Sequence, residues 1–129
     1  MADAGNKNLN YHRGQVEFEA GSRFDVKGRQ GSVHHDRYWN DAYFNALDTI
    51  CATAAKHSLT VAEVSLRWLK HHSQLQVTLG DAIIIGASNM KHLEGNLTDL
   101  DKGTLPKDVV GAMDSAWAEV KGVSPKYFH

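Results

Sequence analysis

From Tyr38 onward, apolar and polar residues alternate with a helical period. Trp39, Tyr43, Ala46, Leu47, Ile50 and Ala54 recur three and four residues apart, predicting an amphipathic helix from Tyr38 to about His57. Ser58-Leu59 breaks this stripe. Thr60 and Glu63 have capping-box spacing, in which the hydroxyl and the carboxylate each satisfy a first-turn amide. A second helix is expected from there to His72, with Val61, Val64, Leu66, Trp68 and Leu69 on its broad apolar face. Residues 74–81 read as a connection containing Gly80. Ala82-Ile83-Ile84-Ile85 is short, unbroken in apolarity and β-branched, the composition of a parallel strand buried on both faces. Gly86-Ala87-Ser88-Asn89 ends it. A third helix is expected over 90–100, carrying Leu93, Leu97 and Leu100 on one face. The fourth is expected from Pro106 to about 121, with Val109, Val110, Met113, Trp117 and Val120 inward and Gly122 as its stop. The three tryptophans fall on apolar faces and read as core.

Residues 1–37 show no such period. Gly5, Gly14, Gly21, Gly28 and Gly31 are scattered among charges of both signs, so the segment reads as a Gly-rich loop. A loop this long is uncommon in a compact domain. The fold class that follows is mostly α with one strand. A fully apolar strand needs parallel neighbours for its backbone, and no second strand of that kind is present, so the chain reads as part of a larger α/β protein. A complete eight-stranded parallel barrel takes about 250 residues, against the 129 here.

Composition narrows the function. With 14 basic and 15 acidic side chains and a formal net charge of −1, no basic stripe exists to neutralise a row of phosphates, so nucleic acid is not an expected partner. No apolar run approaches the ~20 residues of a membrane span. Residues 1–10 are polar and carry no secretory h-region. The lone Cys51 fits a reducing compartment, so a cytoplasmic location is expected.

The strongest local chemistry lies at Gly86-Ala87-Ser88-Asn89. A glycine-containing turn into a helix start exposes backbone amides at the positive end of the helix dipole, a place for phosphate, with Lys91 and His92 in the first turn. The same residue types serve equally as a simple helix cap. Arg23, Lys27, Arg29 and Arg37 could close over an anionic ligand or merely decorate a solvated loop. His71 and His72 cannot share one metal from a helix, where adjacent side chains diverge by about 100°. When protonated they would favour the helix C-terminus. No metal site and no catalytic constellation is expected.

Several strings nevertheless resemble one family: Gly21-Ser22-Arg23-Phe24-Asp25, Asp36-Arg37-Tyr38-Trp39, Leu66-Arg67-Trp68-Leu69-Lys70-His71-His72-Ser73, Gly80 to Ser88, Leu93-Glu94-Gly95-Asn96-Leu97, and the terminal Tyr127-Phe128. Together they resemble the aldo-keto reductase superfamily, nearest its aflatoxin-aldehyde reductase branch. The likeness runs from about Tyr11 to His129, with residues 1–10 outside it.

The resemblance implies the C-terminal fragment of a (β/α)8 TIM barrel: the last strand, its flanking helices and the extra C-terminal helix, over 38–129. It implies NADPH as cofactor and an aldehyde or ketone as substrate. Gly86, Ala87, Ser88, Asn89, Lys91, His92 and Asn96 then fall at the adenosine 2′-phosphate end of the cofactor, and Arg23 where an arginine closes over it. Arg37, His34 and His129 fall on the substrate side. His92 stands where the family often has Gln, and His34 and His129 where this branch tends to have Tyr and Arg. No catalytic residue carries over, because the family's Asp, Tyr, Lys and His sit on earlier strands. The expectation is a truncated reductase inactive alone, with a secondary-metabolite pathway as one context. The alternatives are a non-catalytic binding module, pairing with itself or with a full-length reductase, and a decayed gene product.

Overall fold

A computed structural model describes residues 20, 25 and 27–126. Five α-helices follow in order: α1 (Arg29–Tyr38), α2 (Asp41–Lys56), α3 (Val61–His71), α4 (Met90–Leu100) and α5 (Lys107–Val120), with one 3-10 turn at Val77–Leu79. No β-strand occurs among the described residues. They fall into two compact units: residues up to Ile50 with those from Met113 onward, and Cys51–Ala112.

In the first unit, Ala46, Ala116 and Val120 are buried, with Ala42, Tyr43 and Ile50 packed on them. The Tyr43 hydroxyl reaches Ser124 Oγ at 3.2 Å, tying the chain beyond α5 back to α2. α1 corrects the reading of 1–37 as loop. Its sequence has no apolar stripe, and only Gly31 is buried. What supports it is a ladder of ring pairs one turn apart: His34 with Tyr38 at 5.2 Å and His35 with Trp39 at 5.4 Å. His35 and Arg37 in the last turn also suit its negative end.

Trp39 and Asn40 then interrupt the helix expected to begin at Tyr38. Asn40 Oδ1 accepts from the Tyr43 amide at 3.2 Å and starts α2 afresh. Trp117 is also corrected: it is 57% exposed, not core.

In the second unit, Val64 and Val109 are fully buried, with Ala54, Leu105 and Ala112 nearly so. α2 ends in a Schellman turn. Leu59 N–H donates to Ala54 O at 3.0 Å and Ser58 N–H to Ala55 O at 3.1 Å, with Ser58 in the left-handed region at φ 55°. Thr60 caps α3, accepting from Glu63 N at 3.1 Å.

Only that half of the capping box forms. The Glu63 carboxylate turns instead to Arg67 Nη1 (2.8 Å) and Lys102 Nζ (3.0 Å), because 93% burial makes a charged partner more valuable than an amide.

α3 packs against α4, and its polar edge grips the turn between α4 and α5. Arg67 donates from Nε to Gly103 O (2.8 Å) and from Nη2 to Thr104 O (2.6 Å). Lys70 donates to Leu100 O. These are carbonyls that a helix C-terminus and its following turn leave without internal partners.

The expected strand at Ala82–Ile85 is absent. No backbone amide or carbonyl of Ala82–Ile85 hydrogen-bonds a described residue, and Ile84 is 96% exposed. A β-rich composition does not make a strand without a neighbour to complete its ladder.

Candidate functional site

The residues expected to bind anion meet at the start of α4. Asn89 caps the helix from an extended backbone (φ −155°, ψ 168°), and its Oδ1 accepts from the His92 amide at 2.9 Å. Ser88 Oγ and His92 Nδ1 lie 3.0 Å apart, and Asn96 Nδ2 donates to Gly86 O at 3.3 Å. Asn96 thus ties the turn to the helix it precedes.

The cap reading and the anion reading are therefore compatible. Asn89 consumes the third amide of the helix, while those of Met90 and Lys91 have no acceptor within it. No acidic residue occupies the first turn, and Lys91 is exposed beside those amides. Positive dipole end, free donors and a cation coincide, which is the chemistry that accepts a phosphate. The shape is open: Gly86, Ala87, Ser88, Asn89, Lys91 and His92 are all exposed, and Asn96 is half-buried.

The substrate-side residues have a different setting. His34 and Arg37 lie on α1 and line an open concavity of about 570 Å³ with Arg29, Gln30, Val33 and Tyr38. Arg23 and His129 lie outside the described residues. No cluster of metal-ligating side chains occurs among the described residues.

Three polar groupings escaped the sequence. One is the Glu63–Arg67–Lys102–Asp99 network, in which Lys102 Nζ also reaches Asp99 Oδ1 at 2.9 Å. The two carboxylates hold the Lys102 ammonium pKa above its ordinary value. Only the Glu63–Arg67 pair, four apart on one helix, was legible in advance.

The second is His57 with Asp108, 2.8 Å from Nε2 to Oδ2. This hydrogen bond draws the Asp108 carboxyl below its ordinary range. Its contribution is therefore present above the usual carboxylate range and is lost only as pH falls through that lowered value. The third is the pair His71 and His72, which bonds the turn between α4 and α5.

Comparison with known proteins identifies the family. The aldo/keto reductase family model matches residues 4–118. The chain belongs to the aldo/keto reductase family. An aldo-keto reductase of Pseudocercospora fijiensis (strain CIRAD86) is 43% identical over 118 residues, 92% of this chain and 40% of that protein. Aldo-keto reductase pigE of Monascus ruber is 46% identical over 115 residues, covering 89% and 34%. Aflatoxin B1 aldehyde reductase member 2 of Mus musculus is 37% identical over 100 residues, covering 74% and 27%. The chain thus spans between about a quarter and two-fifths of the length of these family relatives. No helix among the described residues is long and apolar enough to cross a membrane.

Proposed function

We propose that these residues form the C-terminal part of an aldo/keto reductase barrel and carry the adenosine 2′-phosphate half of an NADPH site. The single observation behind this is the start of α4, where two uncommitted amides and the Lys91 ammonium share a first turn free of carboxylate. Met90, Lys91 and the Gly86–Asn89 turn would hold the phosphate. Asn96 and Asn89 fix the turn by their bonds to Gly86 O and the His92 amide. Ser88 and His92 each have a hydroxyl or ring nitrogen to turn outward once their mutual bond opens.

Bound NADPH supplies the hydride that reduces an aldehyde or ketone, the activity that the family's resemblance implies. No residue of this chain is assigned to the proton transfer. Arg23 is proposed to close over the cofactor, and Arg37, His34 and His129 to face the carbonyl substrate. Ala82–Ile85 would take its ladder partners, as the last barrel strand, from residues beyond this chain's own described elements. A cytoplasmic location and a role in a secondary-metabolite pathway belong to the same proposal.

Fluorescence titration of the chain with NADPH and with NADH tests the site directly. NADPH is expected to bind about tenfold more tightly, the value of one charge-assisted contact to the 2′-phosphate. Lys91→Ala should erase most of that preference. Equal affinity for the two cofactors, or no binding of NADPH at millimolar concentration, would overturn the assignment.

A second reading rests on a different observation, the unpaired Ala82–Ile85 segment with its exposed Ile84. It is a non-catalytic module that associates with itself or with a full-length reductase. Sedimentation distinguishes it: a monomer unchanged by added full-length relative removes this reading.

A further inference from the structure

Two neighbouring imidazoles hold the turn between α4 and α5 in opposite ways. His71 Nε2 lies 2.8 Å from Lys102 O. A carbonyl only accepts, so this nitrogen carries the proton. His72 Nε2 lies 3.0 Å from the Leu105 amide nitrogen. A backbone amide only donates, so here Nε2 must present its lone pair and the ring is neutral, protonated at Nδ1. The acceptor matters because Leu105 is 95% buried, and a buried N–H that loses its partner costs stability.

The two rings respond differently to acid. A second proton on His71 leaves Nε2–H in place and its bond to Lys102 O intact. A second proton on His72 occupies Nε2 itself and sets one donor against another.

The groups around His72 do not offset that change. On α3 stand Arg67, Lys70 and His71, whose ring centroid is 6.4 Å away. From α4 comes Asp99, from the turn Asp101 and Lys102, and from α5 Lys107 and Asp108. Asp99 is bonded to Lys102, Asp108 to His57 and Glu63 to Arg67 and Lys102. Among the described residues no carboxylate hydrogen-bonds the His72 ring.

We propose that His72 is a proton-operated latch on this turn: neutral, it holds the Leu105 amide and closes the turn; protonated, it releases that amide and loosens the junction of α4 with α5. The latch does not depend on the cofactor proposal. At the end of α3 the closed turn uses the neutral His72 ring.

Amide exchange read by NMR on the whole chain tests it. Corrected for intrinsic exchange, protection at Leu105 should fall about tenfold between about pH 7.5 and about pH 5, the range over which an imidazole gains its second proton. In His72→Gln, whose side-chain oxygen accepts without titrating, protection should be flat over that range. His71→Gln should keep the step. Long-range ¹H–¹⁵N correlation on the unaltered chain gives the His72 tautomer directly and serves where the Gln variant does not fold. A proton on Nε2 at about pH 7.5, a flat profile in the unaltered chain, or a step persisting in His72→Gln each overturns the latch.

Discussion

Two connections flank α4, and they are built on opposite terms. The turn after it, residues 101–106, is short, polar and exposed at most positions, yet its backbone is bonded almost throughout. Arg67 takes Gly103 O and Thr104 O, His71 takes Lys102 O, and His72 receives the Leu105 amide. The connection before it, residues 81–89, holds the most β-prone run in the chain, yet Ala82–Ile85 bonds to none of the described residues. The difference lies in what stands alongside. α3 lays a row of donors against the first, whereas a strand-like run needs a second strand, which no helix supplies. Local composition sets what a segment can become, and the neighbour decides whether it does.

Breaking the bonded turn should cost most. Arg67→Ala removes two bonds to the turn and leaves the Glu63 carboxylate, 93% buried, with Lys102 as its remaining ion-pair partner. A loss of about 2–3 kcal/mol is expected in urea unfolding, and a loss below about 0.5 kcal/mol would mean the turn stands without α3.

Thr60→Ala comes next. It removes the cap that places Glu63, and thereby the whole polar edge, at the start of α3, for about 1 kcal/mol in the same assay. A third change works in the other direction. Ser58→Gly relieves the left-handed backbone at φ 55° and should stabilise by about 0.5 kcal/mol, measured as a raised unfolding midpoint.

The smallest effect belongs to the other connection. Ile84→Thr should leave stability within about 0.5 kcal/mol of the parent, because the side chain is 96% exposed. If the same change destabilises strongly, Ile84 is covered in solution, and the contrast between the two connections disappears.

The sequence was most informative where one helix face carries the signal by itself. The stripe on α2, the Thr60 cap, the span of α4 and the start of α5 beside Pro106 follow from apolar period and cap chemistry, which are local. The candidate anion site was legible for the same reason, since turn, cap, Lys91 and His92 lie within seven residues. α1 was missed because its support comes from ring pairs one turn apart and not from an apolar stripe. Trp117 was misplaced because a period says which residues share a face, not whether anything covers it.

What the sequence determined by itself, then, is the order of its main helices, their caps and its family, because each depends on residues close together in the chain or on their order along it. Tertiary structure alone decided the fate of Glu63, the opposite roles of His71 and His72, the pairing of His57 with Asp108 and the unpaired state of Ala82–Ile85. Each of these depends on groups brought together from about 30 or more residues apart, or on a partner strand that the described residues do not include. No local pattern encodes a carbonyl's neighbour at that distance, and hydrogen bonds of buried or half-buried groups go to whichever donor the packing delivers.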